Sequence, residues 1–323
     1  MLMRALVYDR YGPPEVLRIE EVEVPAVGPG EVRVRVVASS LNDWDRDLLR
    51  GEPLNRAIAP RRPRYRVLGA DAAGVVVDVS GDVTAFSPGD EVMADLSPHG
   101  FGGFAEYAVA PAPAWRALPA GLTMAQAAAV PQAGSLAMAG LRAAQPLTPG
   151  RRVAVNGAGG GVGTFALQIA KAAGAHVTAI DVGPKLEALR ALGADEVIDY
   201  RAEDFTRRAG RYDAIVEISA HHRARDYRRA LRAGGVCSVI GGQKRMMLSV
   251  LTVGTVQSAV GDRRVRMALW RANDRRDSDR LDRMLESREV APVIDSEITL
   301  DQVPGALERF GAQRHVGKIV VRL

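Results

Sequence analysis

A single cysteine, Cys237, stands in a chain of 323 residues, so neither a disulfide framework nor a cysteine-rich zinc site can be assembled from it. Its apolar setting, VCSVI, reads as a buried strand position. Aromatic residues make up only 5% of the chain, and they are not interleaved with the arginines, which are scattered rather than gathered into a stripe. The net charge of +5 is therefore compositional, and nucleic acid is not an expected partner. Two local basic clusters, residues 61–66 (RRPRYR) and 227–232, read as solvated surface. No run of eighteen apolar residues occurs, which removes a membrane-spanning helix. Residues 1–10 read as a charge-interrupted strand without the apolar centre of a signal peptide. A cytoplasmic location without a membrane partner is expected.

What the chain does contain is a run of strand, glycine turn, helix and strand over residues 151–181, RRVAVNGAGGGVGTFALQIAKAAGAHVTAID. Residues 153–156 supply a β-branched strand, 157–163 the turn, 164–173 an apolar-faced helix and 175–180 the next strand. This is the order of a dinucleotide-binding βαβ unit, whose glycines have separate tasks. Gly157 permits the tight turn, Gly160 lets backbone approach a pyrophosphate, and Gly163 lets helix and strand pack. Gly159, Gly161 and Val162 complete a backbone whose amides face the phosphates at a positive helix N-terminus. Asp181 ends the second strand, where a carboxylate accepts from ribose hydroxyls and repels a 2′-phosphate, pointing to NADH. Lys185 and Tyr200 point the other way, to NADPH, one as a cation and the other through its hydroxyl. Lys185 also reads as a solvated residue in the first turn of a helix over 185–192.

A chain of this length exceeds one ordinary domain, and two lobes are expected. Up to about residue 120 the pattern is all-β, with alternating runs at 31–38, 74–79, 91–95 and 104–109 between Gly and Pro turns. From Met124 onward helical and strand patterns alternate: an Ala-rich helix over 124–144, the βαβ unit, then segments at 185–192, 196–199, 212–218, 226–232 and 236–240. That predicts an α/β fold with a doubly wound parallel sheet. The reading weakens after Gly242 to about Val260. A helix over 278–289, a strand over 293–298, a helix near 301–310 and a closing strand over 318–322 follow, and these return to the first lobe.

Several motifs now stand in a fixed order: YDRYGPPEVLRIEEV, SLNDWDRDLLRG, VLGADAAGVV, SPGDEV, GGFAEYAV, the glycine turn, LGADEVIDY and HVGKIVV. On these the chain resembles the medium-chain dehydrogenase/reductase superfamily, in its zinc-independent, zeta-crystallin-like quinone oxidoreductase branch, over essentially its full length. The resemblance implies a GroES-like β-rich catalytic lobe over 1–122 and 264–323, and a Rossmann lobe with a doubly wound parallel sheet over 123–263. It also implies NADPH or NADH as cofactor, a quinone or conjugated carbonyl as small-molecule substrate, and a homodimer. Zinc-dependent relatives carry a Cys near the SLND position, a His-Glu after VLG and a four-cysteine lobe. Here Ser40 to Asp43 and Ala70-Asp71 stand in those places, so no metal is expected.

Hydride transfer leaves negative charge on the acceptor, and without a metal that charge must be delocalised or met by hydrogen-bond donors. Quinones and α,β-unsaturated carbonyls are therefore the expected acceptors. The family's N-x-x-D segment places Asn42 and Asp45 at the catalytic lobe, Asn42 either donating to a carbonyl or holding the nicotinamide ribose; both also read as loop caps. Enoyl-thioester reductases of this superfamily carry a tyrosine proton donor where Pro53 and Leu54 stand here, which leaves solvent, Tyr65 or His99 as proton source. Relatives read PLAGLTA where residues 131–137 read PQAGSLA, so Gln132 and Ser135 stand in for a cofactor-facing threonine. Ser219 and the pair His221 and His222 follow the strand at 214–218, as a cofactor edge or a surface turn. The family pattern sets Gly241 and Gly242 under the nicotinamide and Lys318 on the cofactor's far side. Two alternatives remain beside the quinone or enone reductase: a dedicated enoyl or keto reductase of a biosynthetic pathway, and a low-turnover nucleotide-binding protein.

Overall fold

The computed structural model describes residues 1–144, 147–250 and 261–323. Within them the chain divides into two compact units, residues 1–132 with 292–323 and residues 133–291.

The first unit is organised by β3 (Glu31–Ser40), where Val32, Val34, Val36 and Ala38 alternate inward with period two. Strand β4 (Asp71–Val79) runs antiparallel along one edge of β3. On the other edge, β6 (Tyr107–Pro111) pairs with the first half of β3, and β15 (Lys318–Arg322) with its last three residues. Strands β5 (Glu91–Asp95), β7 (Trp115–Ala117) and β14 (Ile294–Thr299) complete this seven-stranded sheet. A separate hairpin joins β1 (Leu2–Val7) and β2 (Arg18–Glu23). One apolar cluster packs Leu6, Leu41, Leu49, Leu68 and Phe104 against Leu307 and Ile319, so both ends of the chain share one core.

The all-β expectation for the first 120 residues fails at two helices, α1 (Asp43–Arg50) and α2 (Pro53–Ile58). Charged residues dominate α1, so it carries no strand-like alternation; its bounds are set by an Asn42 cap and a left-handed Gly51 at φ +64°. The predicted single helix over 124–144 is two, α3 (Met124–Ala128) and α4 (Pro131–Ala143). Proline has no amide to continue α3 and suits the first position of a new helix.

The second unit contains β8 (Arg152–Asn156), α5 (Gly161–Ala172), β9 (His176–Asp181), α6 (Leu186–Ala191), β10 (Glu196–Asp199), β11 (Tyr212–Glu217), α7 (Ala224–Ala230), β12 (Leu231–Val239), α8 (Lys244–Ser249), β13 (Arg264–Met267) and α9 (Arg275–Glu286). Its six strands lie in the order β10-β9-β8-β11-β12-β13 and pair in parallel throughout. Helix α10 (Val303–Gly311) returns to the first unit. The expected boundaries at 123 and 264 thus move to 133 and 292. Residues 264–267 extend the parallel sheet as its edge strand, and α9 stays with that unit. Of the segment that read weakly after Gly242, residues 251–260 lie outside the described residues.

Gly74 faces Val36 across the β3–β4 ladder at a register shift, and a Cβ there would fall 2.1 Å from the Arg35 carbonyl oxygen. Gly74→Ala is expected to cost roughly 1–3 kcal/mol in urea unfolding. Gly81→Ala, with nothing within 4 Å of the added carbon, is expected to stay within about 0.5 kcal/mol.

Candidate functional site

In the second unit the strand order reverses direction between β8 and β11, the place where α/β sheets bind ligands at their carboxyl edge. Gly157 leaves β8 at φ +83°, and its amide and that of Ala158 both donate to the Ile180 carbonyl. A Cβ on Gly163 would lie 2.1 Å from the Gly157 carbonyl oxygen, so the helix can sit this close only on glycine. Gly160 caps α5, and a Cβ there would meet nothing nearer than 3.6 Å, which leaves that side open to a ligand. Helix geometry gives the amides of Gly161, Val162 and Gly163 no intrahelical acceptor. With the helix dipole they fit a pyrophosphate. Gly242, at φ +130°, is stitched with Gly241 to Ala220, joining the ends of β11 and β12.

Asp181 does not present an unengaged carboxylate. One oxygen accepts from the Gly159 amide at 2.8 Å, the other from the Val182 amide at 2.8 Å, and the Lys185 ammonium lies 3.6 Å away. Both side chains are buried, which corrects the reading of Lys185 as a solvated first-turn residue: it neutralises Asp181 under the glycine turn. Tyr200 stays 40% exposed, its amide donating to the Asp181 carbonyl and its ring 6.3 Å from that of His221. His221 is exposed and reaches the Ser219 carbonyl, whereas His222 stacks edge-on against Phe205 and Tyr227. Burial and His221 lower the pKa of His222. Ser135 is buried, its hydroxyl accepting from the Trp270 indole at 3.0 Å.

Sequence reasoning missed the buried acid at this edge. Glu217 ends β11 opposite Asn156 at the end of β8. The Asn156 amide donates to both carboxyl oxygens, at 2.7 and 3.0 Å, the Ser219 amide donates to one of them, and the Tyr227 hydroxyl bonds the same group. Burial pushes the Glu217 pKa up to about 8. The signal was a Glu within an otherwise apolar AIVEI strand. The Ser219 hydroxyl lies against Gly157, so Glu217 braces the glycine turn from beneath.

In the first unit Asn42, Gln132 and Lys318 meet around a residue not singled out from the sequence, Asp71. One Asp71 oxygen accepts from Ser40 Oγ at 2.6 Å, Asn42 Nδ2 at 2.9 Å and Lys318 Nζ at 3.1 Å; the other accepts from the Gln132 amide at 2.9 Å. Lys318 also donates to the Leu41 carbonyl and to Asn42 Oδ1, which engages all three of its hydrogens. This places Lys318 with Asn42, in the unit that does not carry the glycine turn. The second hydrogen of Asn42 Nδ2 goes to the Ser40 carbonyl at 3.2 Å, so the amide expected to donate to a carbonyl is engaged inside the protein. Asp45 is fully buried and accepts from the amides of Asn42 and Gly69, each at 2.9 Å. Burial raises its pKa to about 7, and it acts as a clasp with both oxygens turned to backbone. Asp95, bonded to Ser97 and to the Gln132 side chain, is raised by burial and by Asp71. Tyr65 packs on Phe101, and His99 is exposed in a short turn.

Residues 28–120 match the family model of the alcohol dehydrogenase GroES-like domain, and residues 192–321 that of the zinc-binding dehydrogenase. Over 99% of its length the chain is 32% identical to a chloroplastic quinone oxidoreductase of Triphysaria versicolor, covering 98% of that protein. The chain belongs to the quinone oxidoreductase-like branch of the medium-chain dehydrogenase/reductase superfamily. Within this superfamily it is also similar to a 2-methylene-furan-3-one reductase of Solanum lycopersicum, at 31% identity over 99% of this chain and 79% of that one. The solved quinone oxidoreductase of Coxiella burnetii superposes with a TM-score of 0.89 at 25% identity, each chain covered in full. Zinc in the name of one matched model does not fit these residues. Among the described residues no three His, Cys, Asp or Glu side chains are placed to hold a metal. Asp71, the acid after VLG, already has an ammonium and three further donors on its two oxygens.

Two outcomes follow from these buried groups. Lys318→Met leaves the Asp71 carboxylate without its cation and is expected to cost about 3–5 kcal/mol in denaturant unfolding, with Asp71→Asn/Lys318→Met together costing less. For Glu217, the folded pKa of about 8 lies above the ordinary 4.5. Its contribution is full below the lower value and is lost as pH rises through the higher one. Thermal melts across that window should show Glu217→Gln gaining on the parent protein with rising pH; a constant difference would contradict the neutral buried acid.

Proposed function

We propose that the protein is a metal-free, NAD(P)H-dependent reductase of quinones and α,β-unsaturated carbonyls, with NADPH as the preferred cofactor. The observation that carries the reading is the closed network of the first unit, in which Lys318, Asn42 and Asp71 engage one another's donors and acceptors. A saturated ketone would concentrate charge on one alkoxide oxygen, and neither Lys318 nor Asn42 has a side-chain hydrogen left to meet it. An acceptor that spreads the charge over a conjugated system needs no such help. Relatives named for quinone oxidation–reduction and for furanone and alkenal reduction support the same substrate class.

A bound reduced nicotinamide supplies the hydride. The chain's own part is to bind and orient. The turn from Gly157 to Gly163 and the amides of α5 would take the pyrophosphate, and Gly241 and Gly242 the nicotinamide end. Asn42 is held at both ends of its amide, Oδ1 accepting from Lys318 and Nδ2 donating to Asp71 and to the Ser40 carbonyl. Asp45 and Asp71 are fully buried and bonded, so protonation of the delocalised product is assigned to solvent. Preference for NADPH is supported by the pairing of Asp181 with Lys185, which cancels the charge that would repel a 2′-phosphate, and by the exposed Tyr200.

The test is separate titration with NADPH and NADH, then oxidation of the bound cofactor by 1,4-benzoquinone, an enone and its saturated ketone. NADPH is expected to bind about tenfold more tightly, ~1.4 kcal/mol, and to be consumed with the two conjugated acceptors but not the ketone. Lys185→Met should shift preference toward NADH. Faster turnover of the ketone would remove the delocalisation argument, and tighter NADH binding by the parent would remove the cofactor assignment.

A further inference from the structure

Trp44 and Tyr65 come from the connection between β3 and β4 of the first unit, and Phe101 from another. Trp44 lies in the first turn of α1, two residues after Asn42; Tyr65 lies before β4, and Phe101 between β5 and β6. Phe101 is buried between the other two, its ring centroid 5.1 Å from that of Tyr65 and 6.5 Å from that of Trp44. The Arg64 guanidinium lies 5.3 Å from the Tyr65 ring, so a cation and Phe101 both fix that side chain. Trp44 is left 46% exposed. Phe101 belongs to the buried core, whereas Tyr65 is half-buried.

The backbone shows that the rings are held in place. Phe101 has φ +67°, a left-handed conformation that a bulky residue keeps only where its surroundings impose it. The amide of Phe101 donates to the Leu96 carbonyl, that of Gly102 to Leu68 and that of Gly103 to Gly69. The Gly69 amide in turn donates to Asp45, whose other oxygen holds the Asn42 amide at the start of α1. One buried carboxyl thus ties the Phe101 loop to the helix that carries Trp44.

We propose that Trp44, Phe101 and Tyr65 form a stacking platform for the planar conjugated ring of the acceptor, favouring fused-ring quinones over acyclic enones. The proposal deepens the reductase reading and rests on it. An indole half exposed beside Asn42 offers an electron-rich face to an electron-poor ring, and flat π-systems stack on such faces with little demand for hydrogen bonding. An acyclic enone presents too little planar surface to gain from it.

The experiment compares the full-length parent, Trp44→Ala and Trp44→Phe with NADPH and either 1,4-naphthoquinone or 3-buten-2-one. Trp44→Ala is expected to raise KM for naphthoquinone about tenfold, the scale of one aromatic stacking contact, and at least several-fold more than KM for butenone. Trp44→Phe should recover most of the loss. An equal change for both acceptors, or no change for either, overturns the platform. If the parent reduces neither acceptor, the reductase reading falls, and equilibrium dialysis with naphthoquinone decides the platform alone. Weaker binding to Trp44→Ala than to the parent then supports it, and equal binding overturns it.

Discussion

The first unit depends on the ion pair between Asp71 and Lys318. Removing two charges from water costs several kcal/mol for each ion, and only close geometry with further hydrogen bonds offsets it. Asp71 achieves this by drawing donors from Ser40, Asn42, Lys318 and the Gln132 amide, so one carboxylate joins β3, the start of α1, β15 and the start of α4. Asn42 can be oriented only because Lys318 takes its oxygen and Asp71 its amide. A site that seemed to consist of one polar loop residue is a closed set in which no member can be changed alone.

The second unit solves a related problem with a neutral acid. Glu217 sits where the direction of strand order reverses, and its partners Asn156, Ser219 and Tyr227 come from the elements that surround the glycine turn. A proton on the carboxyl allows it to be buried without a cation. Asp71 and Glu217 are thus buried by different means, the one by pairing with a cation and the other by keeping its proton.

Period and glycine spacing made the parallel sheet and its turn legible, because β8, α5 and β9 obey local rules that need no distant partner. The strands at 91–95, 196–199 and 318–322 were read with the bounds the structure has. Helix α1 was hidden by its charge, and β13 by its isolation after a weakly patterned stretch. Asp71 was noticed only as a residue that was not a zinc ligand. Its importance lies in contacts with residues up to 247 positions away, which no local pattern encodes. The reading of Lys185 as a solvated residue failed for the same reason, since burial against Asp181 depends on how the glycine turn folds over both.

The first unit is made from both ends of the chain, with the whole of the second unit between them. On a ribosome Asp71 is made long before Lys318, with a delay of roughly ten seconds or more at ordinary elongation rates. During that interval the carboxylate has no ammonium to accompany it into a core, whereas residues 133–291 are completed before Lys318 is made. The nascent first unit must keep that acid hydrated, and β15 is the piece whose arrival lets it close.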